Sequence, residues 1–274
     1  MGALPNLIVI GGMKCGTTSF HAYFDRHPAI GMSNPKEVNF FAGENAHRGV
    51  DWYQSLFDGT KPVRGESSQN YSKAHHPLYA GAPKRIHDLV PECKLIYLVR
   101  DPIERYLSHL VESYIGNDQH KIQWAQANDH YVKTSLYYYQ LSYFLDYFPL
   151  SQILVLDVAR IRRDRLSAMN QAFDFLGVER FTEATAFDFV VNENGEDIVP
   201  NHMRRHPAYR VANRLAPRMT DRLLKTPLLR NALFPGSLKK KLTEEEHARL
   251  ANRFRPDVEH LRKLTGQSFS AWSL

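Results

Sequence analysis

The chain has 274 residues, 43% hydrophobic and 23% charged, with a net charge of +6. That is enough for one large water-soluble domain or two small ones. Two cysteines exclude a disulfide framework, and no apolar run is long enough to span a bilayer.

The first element is a short apolar run, Leu7 to Ile10, followed at once by Gly11 and Gly12. Such a run reads as a buried parallel strand entering a glycine turn. Lys14, Cys15, Gly16, Thr17, Thr18 and Ser19 come next, and then Phe20, Tyr23 and Phe24 recur on one face of a helix. Strand, glycine turn, lysine, hydroxyls and helix start together make a phosphate site, because a first helical turn has unpaired N–H groups and partial positive charge. The lysine precedes Gly16 rather than following it, so the segment departs from the nucleotide triphosphatase loop GxxxxGK[ST]. An ordinary glycine turn before a helix is the plain alternative. The opening MGALPNLIVIGG has no basic n-region and too short an apolar core for a signal peptide, so a cytoplasmic protein is expected.

Asn34-Pro35 marks a turn, and Glu37 follows it beside Val38, Phe40 and Phe41. Burial against those rings would raise its pKa and make Glu37 a general base, whereas pairing with Lys36 would leave it a surface carboxylate. Gly49 to Phe57 is spaced like a short amphipathic helix. Val63 begins a short strand that runs into a polar loop carrying a second carboxylate, Glu66, among Ser67, Ser68, Gln69 and Asn70. Those neighbours would hydrogen-bond its charged form and make it the poorer base, suited to orienting Lys14 or an acceptor hydroxyl. Pro83 to Leu89 reads as a helix.

Leu95 to Val99 is a second buried strand, with Arg100 at its C-terminal end, where open α/β sheets bind ligands. Asp101 caps the next helix and Pro102 suits its first position. Arg100 and Ser108, two turns into that helix, are placed to grip one phosphate, unless both are merely surface groups. Thr134 to Phe148 is a tyrosine-rich helix read as core packing. Ile153 to Val158 is a third buried strand, and a helix from Leu166 to Leu176 closes at Gly177.

Between Asn201 and Lys241 stand eleven Lys and Arg against one acid, Asp221, so this segment carries +10 and the remainder −4. Arg210, Arg214, Arg218 and Arg222 form an i+4 row there, a basic face suited to an anionic substrate, a membrane surface or solvent. Thr243 with Glu246 makes a capping box, and Pro256 is expected to kink or restart the last helix. No repeat and no long linker divides the chain, so one domain over residues 1–274 is expected. No metal-ligand spacing is visible.

Several segments together resemble one family, the sulfotransferases that use 3′-phosphoadenosine 5′-phosphosulfate (PAPS), of the carbohydrate and heparan type with their soluble bacterial relatives. Lys14 to Ser19 resembles the 5′-phosphosulfate loop. Arg100-Asp101-Pro102 with Arg105 and Ser108 resembles the 3′-phosphate motif RDPxxRxxS. Lys36 to Phe41 resembles the NEVHFF segment, whose glutamate is the family's proposed base, and Arg204-Arg205-His206-Pro207 resembles the late cofactor loop KGRxxP. Two positions depart from the pattern. The family's Glu-Lys-Thr-Pro segment is Glu66-Ser67-Ser68-Gln69 here, without its assisting lysine, and the late-loop lysine is replaced by His202.

The resemblance implies a P-loop-like three-layer α/β fold with a central parallel sheet and helices on both faces. It implies in-line, metal-independent transfer of a sulfuryl group from PAPS to a hydroxyl or amine of a small molecule, glycan or glycolipid, with adenosine 3′,5′-bisphosphate (PAP) as product. Two other readings fit the same start: a P-loop kinase of small molecules, and a basic module binding nucleic acid through residues 201–241. The kinase lacks its lysine after Gly16 and a clear acidic strand end, with Asp157 the nearest candidate. The nucleic-acid module lacks a helix–turn–helix or aromatic-interleaved pattern, so no nucleic acid is expected.

Overall fold

A computed structural model of the chain describes residues 2–116, 119–189, 207–216, 219–220 and 242–274. Five strands form one parallel sheet: β1 (Leu7–Gly11), β2 (Ile30–Met32), β3 (Val63–Ser67), β4 (Lys94–Val99) and β5 (Ile153–Asp157), in the order β2-β3-β1-β4-β5. Every residue of β1 is buried, as is every residue of β4 after Lys94. Successive strand side chains point to opposite faces, so unbroken burial means that both faces are covered.

Helix α1 (Thr17–Phe24) carries the chain from β1 to the edge strand β2. After β3, helix α3 (Ala82–Leu89) carries it across to β4 on the other side of β1; the short α2 (Gly49–Gln54) precedes β3. The strand order therefore changes direction beside β1. A crevice opens at such a point outside the C-terminal strand ends, and it is here that the loops after β1, β3 and β4 converge. Helices α4 (Pro102–Gly116), α5 (Gln119–Ala127), α6 (His130–Lys133), α7 (Tyr137–Leu145), α8 (Val158–Arg163) and α9 (Arg165–Leu176) follow, then α10 (Pro207–Leu215) and α11 (Glu244–Thr265).

The local signals for helix ends hold. Asp101 Oδ1 accepts from the N–H groups of Ile103 (2.8 Å) and Glu104 (3.0 Å) at the start of α4. Gly177, at φ 78°, closes α9, and Thr243 with Glu246 forms the capping box of α11. Three expectations need correction. The third strand stops at Asp157 because that side chain caps α8, accepting from Ala159 N at 3.0 Å. The tyrosine-rich helix is shorter than 134–148. Pro256 does not restart α11: Leu250 and Phe254 before it and Val258 and Leu261 after it are all buried, and that packing outweighs one missing N–H. The buried Asp257 also accepts from Tyr138 N and Tyr139 N, at 3.0 and 2.8 Å, fixing α11 to the start of α7.

Candidate active site

The loop after β1 is shaped by close backbone approaches. Gly11 has φ 143°, and a Cβ there would stand 2.1 Å from Ser72 Oγ, so the loops after β1 and β3 touch. Gly12 N donates to Leu98 O of β4 at 2.8 Å. Gly16, at φ 76°, is the N-cap of α1, with no side-chain cap and open space beside it. The start of α1 thus faces outward with its first-turn N–H groups, next to the hydroxyls of Thr17 (buried), Thr18 and Ser19 (half-buried). This arrangement fits an anionic group. Lys14 stands at φ 66° just before it, its Nζ 3.5 Å from Glu112 Oε1 of α4.

Arg100 leaves the end of β4 toward the same loop. Its Nη1 donates to Lys14 O at 3.5 Å, while Nε and Nη2 pair with Glu104 Oε2 at 2.8 and 2.6 Å. Tyr137 joins the two parts: its hydroxyl accepts from Arg100 N at 3.2 Å and lies 3.6 Å from Cys15 Sγ. Burial pushes the Cys15 thiol up, so this cysteine packs rather than reacts. Ser108 lies half-buried two turns along α4. Arg105 of the same motif is wholly buried, donating to Ser135 Oγ and Tyr131 O at 2.6 Å each, and it holds α4 to α6 and the segment after it.

The expected environments of the two glutamates are exchanged. Glu37, at φ 60°, is turned out of the apolar cluster made by Val38, Phe40 and Phe41. Its Oε1 pairs with Lys36 Nζ, its Oε2 accepts from Gln69 N at 3.0 Å, and its side chain is 27% exposed. Glu66 is the carboxyl that is wholly buried. Tyr53 and Tyr71 donate to its Oε1 and Ser68 to its Oε2, and Ser68 Oγ also accepts from Asn39 N at 3.0 Å. Glu66 makes no hydrogen bond to Lys14 among the described residues; it fixes the loop that carries Glu37 and Asn39.

Burial pushes Glu66 up to about 7 against three hydrogen bonds that oppose the shift. Its pKa is raised on folding, so the folded chain holds a proton that the unfolded chain releases. That contribution to stability is full below about pH 4.5 and is lost as pH rises through about 7. Melting curves of Glu66→Gln should therefore show a shallower fall in Tm between pH 5 and 8 than the wild type. An unchanged slope would assign it to other groups.

The sequence pattern did not single out Tyr137, Glu112 or Lys73 as site residues. Lys73, buried in the loop after β3, donates to Asn70 Oδ1 at 2.7 Å. Helical periodicity marks Tyr137 only as core, and the other two stand near the loop through long-range packing alone. Arg204 and Arg205, with His202, lie outside the described residues. Of the basic segment, α10 presents Arg210 and Arg214 beside the exposed Val211 and Leu215. Among the described residues no cluster of His, Cys, Asp and Glu forms a metal site, and no helix is long and apolar enough to cross a membrane.

A lysine-bearing loop and a helix start without a side-chain cap, at the switch point of a parallel sheet with an arginine at the next strand end, make an α/β fold with a candidate site for an anionic group. The chain belongs to the sulfotransferase family, whose domain model matches residues 4–265. It is 30% identical over 213 residues to the mouse bifunctional heparan sulfate N-deacetylase/N-sulfotransferase 4, covering 68% of this chain and 24% of that protein. The chain thus spans about a quarter of the length of the curated relatives it matches. Its fold is shared by a sulfotransferase from Alicyclobacillus acidocaldarius (TM-score 0.65, 23% identity, 99% of this chain and 100% of that one). A mouse sulfotransferase complexed with PAP has TM-score 0.50 and 14% identity over 97% of this chain and 88% of that one. The family match supports sulfuryl transfer, and neither the kinase nor the nucleic-acid reading finds support.

Proposed function

We propose that residues 1–274 form one sulfotransferase domain that moves a sulfuryl group from PAPS to a hydroxyl or amine of a small-molecule or glycan acceptor. The observation that carries this reading is the outward, uncapped start of α1, with Lys14 before it and Arg100 on the Lys14 carbonyl. When bound, PAPS supplies an activated sulfuryl group on a phosphate leaving group. The residues from Lys14 to Ser19 hold its 5′ end, and Lys14 faces the oxygen where negative charge develops. Arg100, paired with Glu104 here, and Ser108 would hold the 3′-phosphate, with Arg204 and Arg205 as further donor-binding residues. Glu37 accepts the proton of the acceptor. Transfer is read as metal-independent because these fixed cations supply the positive charge.

PAP without metal should raise Tm more than ATP with Mg²⁺, and transfer should persist in EDTA. The reverse order of stabilisation would overturn the donor assignment. Screening sugars, glycolipids and amino-alcohols with radiolabelled PAPS then identifies the acceptor.

Arg100→Ala and Ser108→Ala should weaken PAPS far more than adenosine 5′-phosphosulfate, which has no 3′-phosphate to lose. Equal losses for the two donors, measured by competition binding, would place these residues elsewhere.

A further inference from the structure

Helix α4 carries Glu104, Ser108 and Glu112 at intervals of four, so the three share one side of it. Glu104 lies in the first turn, where a carboxylate suits the helix dipole, although Asp101 is the residue that caps α4. Glu112 lies toward the other end, where the dipole disfavours negative charge. Four residues from it along α4 stand Ser108 and Gly116, neither of them a cation. Helix stability therefore does not account for Glu112.

Both carboxylates meet cations from the loops that follow β1 and β4. Glu104 Oε2 accepts from Arg100 Nε and Nη2 at 2.8 and 2.6 Å, with Arg162 Nη1 3.8 Å away. Glu112 Oε1 lies 3.5 Å from Lys14 Nζ. Arg100 Nη1 in turn donates to Lys14 O at 3.5 Å, so the two pairs adjoin at one loop. All four side chains are partly exposed, and ion pairs of that kind are weak enough to exchange partners.

Lys14 and Arg100 are the cations assigned to the two anionic ends of the donor. A carboxylate on each of them competes with the phosphate at that end, and it repels that phosphate once bound. We propose, on that donor assignment, that Glu104 and Glu112 are positioning residues that hold Arg100 and Lys14 and compete with the nucleotide for them, one at each end. Glu104 opposes the 3′-phosphate and Glu112 the 5′ end. Neither touches the ligand; each acts through its cation. As the product PAP leaves, each glutamate retakes its partner, so nucleotide affinity is held down end by end.

Calorimetric titration with PAP, adenosine 3′-monophosphate and adenosine 5′-monophosphate tests the two ends separately. Glutamine keeps the shape and an acceptor oxygen and removes the charge. Glu104→Gln should tighten PAP and the 3′-monophosphate at least about threefold and leave the 5′-monophosphate within about 1.5-fold. Glu112→Gln should tighten PAP and the 5′-monophosphate at least about threefold and leave the 3′-monophosphate within about 1.5-fold.

A purely structural role would move all three nucleotides alike, and that result would overturn the proposal. Where the monophosphates bind too weakly to titrate, PAP alone decides: a failure of either variant to tighten it at least about threefold refutes the exchange at that end. A wild-type chain that binds no PAP would instead refute the donor assignment.

Discussion

Lys14→Ala is expected to lower kcat at least ~100-fold, about 2.7 kcal/mol of transition-state stabilisation, the usual loss when one preorganised donor is removed. On the proposed reaction the charge to be stabilised grows on the oxygen that leaves with the phosphate, and an ammonium beside a helix start stabilises it there once released from Glu112. The Lys14 backbone is set at φ 66° between the Gly12 contact with β4 and the left-handed Gly16, and its side chain pairs with Glu112. Alanine meets the same backbone strain as lysine, so the variant tests charge rather than loop shape. Lys14→Arg should recover part of the rate, and PAP binding should report whether the loop stays intact. Undiminished turnover in Lys14→Ala would show that another cation carries the leaving group.

The second large effect concerns the proton. Glu37→Gln should remove most of kcat, at least ~100-fold, while PAP affinity stays within about threefold, since a lost general base appears in the chemical step. Glutamine keeps an acceptor for Gln69 N and loses only the charge that takes the proton. Glu37 is the carboxylate that can reach an acceptor, being partly exposed and aimed out of the apolar cluster.

Glu66 cannot present itself to a bound molecule without leaving Tyr53, Tyr71 and Ser68. Glu66→Gln should therefore cost less in kcat and act through the placement of the loop that carries Asn39. The assignment would pass to Glu66 if Glu66→Gln were inactive and Glu37→Gln near normal. Should the acceptor be an amine, its own deprotonation reduces both effects.

The order of elements and the lysine-bearing loop between β1 and α1 were legible in the chain because they rest on short-range rules. A buried parallel strand writes itself as an apolar run, a helix start as an uncapped glycine turn or an Asp–Pro pair, and a phosphate loop as lysine, glycine and hydroxyls within six residues. The family likeness adds the same spans in the same order. Only tertiary structure decided which glutamate is buried. Phe40 and Phe41 stand next to Glu37 in sequence, yet a left-handed backbone at Glu37 turns its carboxylate away from them. Glu66 has polar neighbours in sequence, yet it points inward from β3 between Tyr53 of α2 and Tyr71 of the following loop. Burial is set by where a side chain points after packing, and nearest neighbours in sequence do not record that. For the same reason Tyr137, Glu112 and Lys73 entered the site only through folding, from α7, α4 and the loop after β3, each carried to Lys14 or its loop by contacts that no local period encodes.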